Sequence, residues 1–172
     1  MGNFINIVMK IFFEKSLFDL LNKKYYREEQ YKKLNDSHVI YLLFVGFLHE
    51  DKLTKENNGK YILKFGKTEN FTQRLKSHKK TFSSTCNILY IGQTISATKV
   101  EKHIKKQMRL QNKLIKLNGY GTELLLINTK AEFISIKKFI EKSIAEIKSK
   151  QHKQIEKISI FNIFNILNRF LF

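Results

Sequence analysis

The stretch Lys64-Phe65-Gly66-Lys67-Thr68-Glu69-Asn70-Phe71-Thr72-Gln73-Arg74-Leu75-Lys76-Ser77-His78 decides how the rest of the chain is read. It opens as the end of an apolar run from Tyr61 to Gly66, with the length and composition of a strand. Asn70 and Gln73 have the spacing of a capping box, and Phe71, Leu75 and Phe82 then recur on one side of the helix that follows. Arg74 and His78 stand one turn apart on that helix, just beyond Lys67 at the strand end. An arginine and a lysine at a sheet edge can clamp a non-bridging phosphate oxygen, and a histidine one turn away can orient a water or a leaving oxygen. Read alone, Arg74 and His78 fit equally well as solvated helix residues.

Upstream, Val39-Ile40-Tyr41-Leu42-Leu43-Phe44-Val45 is a short continuous apolar run, read as the first core strand and expected to pair antiparallel with Tyr61–Gly66. Between them, Glu50 to Lys60 is charged and ends in Asn57-Asn58-Gly59, a turn signal. Residues 1–34 carry apolar positions at helical spacing, which predicts one or two helices leading into the domain. Downstream, Ile88–Gly92 reads as a third strand and Ser96–Leu117 as a second helix burying Ala97, Val100, Ile104 and Met108. After the break Asn118-Gly119-Tyr120-Gly121, Leu124–Ile127 reads as a fourth strand. Thr129 and Glu132 then cap a long helix marked by Phe133, Ile136, Ile140, Ile144, Ile147, Ile155 and Ile158. The expected fold is α/β: a small central sheet of three to four strands flanked by helices. It divides as an N-terminal helical extension at 1–37, a core domain at 38–128, and a lysine-rich helix with an apolar tail at 129–172.

Composition bounds the class. The 172 residues suit one domain with appendages, and 42% hydrophobic with 13% aromatic residues is more apolar material than a disordered chain carries. No apolar run approaches the roughly 18 residues needed to cross a bilayer. Lys10, Glu14, Lys15 and Asp19 interrupt the N-terminal stretch, with no small-residue cleavage site behind it, so the chain is expected to be intracellular, cytoplasmic or nuclear according to host. The single Cys86 excludes an intramolecular disulfide and a cysteine-rich zinc site. Thirty-two Lys and Arg against 15 Asp and Glu give a net charge of +17, the footprint of a phosphate-bearing partner, although an abundance of Lys, Asn and Ile with no Pro also fits an A/T-rich genome. The tail from Ile158 is too short and Asn-rich to span a membrane, and is expected to pack on the N-terminal helix or on a second copy, giving a homodimer through the C-terminal helix.

Together these motifs resemble the GIY-YIG endonuclease superfamily. Val39-Ile40-Tyr41 matches its first motif, Lys64-Phe65-Gly66 its second, Lys67 the residue after it, Arg74 its arginine and His78 the position one turn later. The resemblance covers roughly residues 38–128 and is closest to the divergent branch of bacteriophage and large-DNA-virus proteins. Lys64 stands where the family has a tyrosine, and Tyr61 cannot replace it, because three residues along a strand reverses the face. Tyr90-Ile91-Gly92 spells the second motif literally, but no helix with Arg and His at the required offsets follows it, so Tyr90 reads as an ordinary strand residue.

The resemblance implies a DNA endonuclease, acting on double-stranded DNA and using one divalent ion, Mg²⁺ or Mn²⁺. It assigns Tyr41, Arg74 and His78 to catalysis, Lys64 and Lys67 to nucleic-acid contact, and Glu101 to the metal. Glu101 also has capping-box spacing from Thr98, a structural alternative. The family's asparagine matches Asn112, Asn118 or Asn128, with no choice among them. The alternative function is a nucleic-acid-binding module of the same fold without cleavage, and a third reading makes the lysine-rich C-terminal helix an interaction element.

Overall fold

The computed structural model describes residues 17–49, 52–54, 60–82 and 86–171, with side chains up to residue 155 apart from those of 54, 122, 152 and 154. Residues 17–22 are helical (α1). The chain continues through α2 (Glu28–Lys32), β1 (Val39–His49), β2 (Lys52–Thr54), β3 (Lys60–Thr68) and α3 (Phe71–Thr81). After these come β4 (Asn87–Gln93), α4 (Ala97–Leu110), β5 (Leu114–Leu117), β6 (Gly121–Ile127) and α5 (Lys130–Leu171).

The strands form one antiparallel sheet of six, larger than the three to four expected. Its order is β2-β1-β3-β6-β5, with β4 beside β2 on the same edge of β1. One strand can serve two partners on one edge because β1 runs to eleven residues and carries a bulge between Phe44 and Gly46. Gly46 sits there at φ 132°, a conformation that favours glycine. β1 and β3 pair antiparallel as expected, with Tyr41 opposite Gly66. They are not consecutive, however: β2 intervenes, a three-residue strand hidden in what reads as a charged loop. The Asn57-Asn58-Gly59 turn signal lies outside the described residues.

The second expected helix is also shorter than Ser96–Leu117. Asn112 adopts φ 50°, with Asn112 N–H bonded to the Arg109 carbonyl and Lys113 N–H to the Met108 carbonyl, a Schellman ending in which asparagine takes the place of glycine. The freed residues form β5, which pairs with β6 through the turn that Gly119 and Gly121 make at positive φ.

Strand alternation separates two apolar layers. On one face Ile40, Leu42, Phe44, Leu63 and Phe65 pack against Val100, Ile104 and Met108 of α4, Phe133, Ile136 and Ile140 of α5, and Leu17 and Leu21 of α1. On the other, Val39, Tyr41, Leu43 and Ile62 meet Phe71, Leu75 and Phe82. Phe71 and Leu75 are fully or almost fully buried, at about 1.5–3 kcal/mol each, which fixes α3 over Tyr41. Capping is as read: Asn70 accepts from Gln73 N–H at 2.9 Å, and Thr129 and Glu132 exchange reciprocal bonds at the start of α5. Packing of the apolar tail, and the dimer expected from it, fall on side chains outside the described set. Among the described residues no helix is long and apolar enough to cross a membrane.

Candidate active site

Tyr41 stands in the middle of the sheet with its ring over Gly66 on the neighbouring strand. A Cβ on Gly66 would lie 2.5 Å from the Tyr41 hydroxyl and 2.8 Å from Cζ, so the glycine is required by the tyrosine that crosses it. The hydroxyl is hydrogen bonded to Nε2 of His78 at 2.8 Å. Leu75 and His78 both turn inward from α3, while Arg74 on the adjoining stripe is exposed. The Tyr41 and His78 rings also pack against each other, and Phe71 and Phe82 enclose the pair.

Burial sets the protonation of both groups. It raises the Tyr41 phenol well above its ordinary range; the Arg74 charge opposes that rise, and the Glu101 and Glu123 charges add to it. Burial lowers the His78 pKa to about 4, with Lys64 and Arg74 adding to the effect. Near neutral pH the pair is therefore an uncharged phenol and an uncharged imidazole. The charges of Arg74 from α3 and Glu101 from α4 both bear on the one hydroxyl.

Lys64 is 6% exposed, and its Nζ lies 2.8 Å from Glu123 Oε2. Glu123 also receives Lys105, at 2.7 Å on Oε1, and Lys105 reaches Glu101 Oε1 at 3.7 Å. Burial works against the Glu123 charge, but the bonds from Lys105 and Lys64 prevail and hold its pKa at about 2. Lys67 is half-buried at the end of β3 and donates to Thr98 Oγ1 at 2.9 Å.

Glu101 lies in the second turn of α4. The N-cap is Ser96, so the Thr98–Glu101 spacing is not a capping box and the structural alternative for Glu101 falls away. Its carboxylate, half-buried and in contact with a cation only through the long 3.7 Å approach of Lys105, is an oxygen donor of the kind a hard divalent cation takes. Among the described residues no cluster of three or more His, Cys, Asp or Glu side chains is present. Such a donor set suits an ion that keeps most of its waters.

Of the sequence-derived residues, Tyr41 and His78 are in direct contact, the charges of Arg74 and Glu101 bear on the Tyr41 hydroxyl, Lys64 is committed to an internal ion pair with Glu123, and half-buried Lys67 bonds Thr98. Tyr90 lies on the opposite face from Tyr41, against the layer formed with α5, and Gly92 is closed in by Tyr90 and Ile144, so the literal second motif is a packing feature. Asn112 ends a helix, Asn118 lies in a hairpin turn, and the backbone of Asn128 caps α5 through Glu132. Cys86 is buried with its pKa pushed up to about 12. Glu123 and Lys105 were not foreseen. The signal was Lys64 itself, since a lysine at an inward strand position requires a carboxylate.

An antiparallel sheet carrying a tyrosine–histidine pair under α3, with an arginine and a carboxylate whose charges bear on it, defines a small α/β domain with a polar cluster over its central strands. Residues 38–151 match the T5orf172 domain, and the chain belongs to that family, a phage-associated group related to endonucleases. The match runs past the expected core boundary at 128 and takes in the first half of α5. No curated protein and no solved structure matches the chain.

Proposed function

We propose that this chain is a DNA endonuclease of the GIY-YIG type, hydrolysing phosphodiester bonds with the help of one divalent ion, Mg²⁺ or Mn²⁺. The observation that carries the reading is convergence on one hydroxyl: Tyr41 is bonded to His78 and lies within the fields of Arg74 and Glu101. Membership of an endonuclease-related family supports the same class.

In this reading the neutral His78 accepts the Tyr41 proton as the tyrosine oxygen takes one from the attacking water. The relay avoids a free phenolate, which burial disfavours. Arg74 stabilises the charge that builds on the phosphate, and Lys67 holds a neighbouring phosphate. Glu101 would hold the divalent ion, which when bound neutralises charge on the phosphate oxygens. Exposed lysines on α3 (Lys76, Lys79, Lys80) and α4 (Lys99, Lys102, Lys106) flank the site and suit the backbone of double-stranded DNA.

The second reading, a binding module without cleavage, is favoured by one observation: Tyr41 is 2% exposed, so a water must reach a nearly covered hydroxyl. Incubating the purified protein with supercoiled, linear and branched DNA in Mg²⁺ or Mn²⁺, and in EDTA, separates the two. Nicking that disappears in EDTA supports the endonuclease. DNA binding without nicking under any of these conditions leaves the binding module.

A further inference from the structure

The segment Lys23-Lys24-Tyr25-Tyr26-Arg27-Glu28-Glu29-Gln30-Tyr31 has no aliphatic residue, and α2 within it buries none of its side chains. Its three tyrosines hold it to the core. The Tyr25 hydroxyl donates to the Leu20 carbonyl at 2.9 Å, the Tyr26 hydroxyl accepts the Ile91 N–H at 3.3 Å, and Tyr31 makes a T-shaped contact with Phe71. Between this segment, α3 and the start of β4 lies a recess of about 290 Å³, bordered by all three tyrosines and by Lys23, Lys24 and Lys79. Its charge is not balanced. Among the described residues none of these three lysines is in contact with a carboxylate, and Glu28 on the rim is bound to Lys32 at 2.9 Å, reaching Lys79 only through its field.

We infer that this recess holds an unpaired nucleotide of a DNA strand, its base against the Tyr31 ring and its phosphates on Lys23 and Lys24. Uncompensated ammonium groups around aromatic rings suit a ligand that is both anionic and flat, and a nucleotide is both. An acidic peptide would use the lysines and leave the rings idle. The recess on α4, bordered by Lys102, Lys106, Arg109 and Leu110 with no ring among them, suits phosphates alone. Of the three tyrosines, Tyr25 already has the Lys23 and Lys137 ammonium groups within 6 Å of its ring centre and Tyr26 is bonded to β4, which leaves Tyr31 for the base. The inference rests on the proposed function in taking DNA as the polymer, and it names the substrate: a duplex carrying a single-stranded tail, gap or branch. One helix serves both places, since Leu75 and Lys79 of α3 border the recess while His78 of α3 meets Tyr41. The tyrosines precede the family match at 38–151, so this wall is an addition to the family domain.

The test is binding of the full chain, in EDTA and by fluorescence anisotropy, to three DNAs: a blunt duplex, the same duplex with a short single-stranded tail, and that duplex with a tail of abasic sites. The abasic tail keeps the phosphates and removes the bases. The wild type should bind the base-bearing tail about tenfold more tightly than the abasic one, the scale of one stacked base. Tyr31→Leu should abolish that preference and Tyr31→Phe should keep it. Lys24→Gln, an exposed change that leaves the fold in place, should weaken binding of the tailed duplex, lower its slope of log affinity against log salt by about 0.7, and leave blunt-duplex affinity unchanged. Equal wild-type affinity for the two tails, a loss in Tyr31→Leu that is the same on blunt and tailed duplex, or undiminished tail binding in Lys24→Gln overturns the inference. Displacement of the tail by deoxyadenosine monophosphate at equal concentration would assign the recess to a free nucleotide, and displacement by a polyglutamate peptide would assign it to a protein; either overturns it too. Nicking in Mg²⁺ is scored separately. A base-dependent tail preference without nicking removes the nuclease reading and keeps the recess, whereas nicking with no such preference does the reverse.

Discussion

The Tyr41 hydroxyl and His78 Nε2, 37 residues apart in sequence, are joined by a buried hydrogen bond of 2.8 Å. It ties β1 to α3 through the two groups to which the proposed function gives the proton relay, so in that reading one bond carries both stability and chemistry. The two contributions separate in Tyr41→Phe, which keeps the ring over Gly66 and removes only the oxygen. The imidazole then loses a buried partner, at a cost of about 1–3 kcal/mol. If the hydroxyl relays a proton, the nicking rate falls by a further ~10²–10⁴ under conditions where the variant is fully folded. Denaturant unfolding and nicking measured on one preparation resolve the two effects.

Gly66→Ala should be the more damaging change, although it adds one methyl group. The new Cβ meets the Tyr41 hydroxyl at 2.5 Å and its Cζ at 2.8 Å, inside any tolerable contact, so the ring must swing off the strand and give up His78. Overpacking of this kind costs about 1–3 kcal/mol, and the lost hydrogen bond adds to it. In a Tyr41→Ala background, where the clashing ring is gone, the cost of adding Gly66→Ala should shrink, which thermal melting of the four chains of the double-mutant cycle checks.

The strand and helix that frame this pair were legible in sequence because local signals agreed. Asn70 and Gln73 mark the start of α3, and apolar alternation marks β1 and β3. What escaped reading was non-local. The three residues of β2 carry no apolar pattern, and they form a strand only because β4 stops opposite Phe44 and leaves the end of β1 open to a partner. β5 was absorbed into the preceding helix because an asparagine, rather than a glycine, ends α4. Glu123 escaped for a similar reason: a carboxylate 59 residues from Lys64 becomes its partner only once β3 and β6 are known to be neighbours.

Acid should weaken the fold in two stages. His78 titrates near 4 when folded against 6.5 when unfolded, so the folded state takes up its proton later. Its contribution is complete above pH 6.5 and is lost as the pH falls towards 4, amounting to about 3 kcal/mol at most. Glu123, at about 2 when folded against 4.5, adds a second loss between those values as its bonds to Lys105 and Lys64 fail. Unfolding free energy measured from pH 8 to pH 3 should therefore begin to fall below about 6.5, and His78→Gln should remove that first decline. An unchanged decline in His78→Gln would assign it to other groups.

Arg74→Ala and Glu101→Ala should fail in different ways. Arg74 is exposed beside the Tyr41–His78 pair and on the phosphate side of the proposed reaction, so it is felt both when DNA binds and when charge builds on the phosphate. Its loss should weaken DNA binding, reduce the slope of log affinity against log salt by about 1, and slow nicking. Glu101 repels phosphate in the absence of a cation, so Glu101→Ala should leave binding in EDTA intact or slightly tighter while abolishing metal-dependent nicking. Because Glu101 lies beyond the first turn and Ser96 is the N-cap, its removal should not produce the loss of about 1 kcal/mol expected of a helix cap. Salt-dependent binding in EDTA, nicking in Mn²⁺ and melting, measured on both variants, distinguish a phosphate clamp from a cation ligand. Equal loss of DNA binding in EDTA for the two variants would show that Glu101 supports the surface on which DNA lies rather than a cation beneath it.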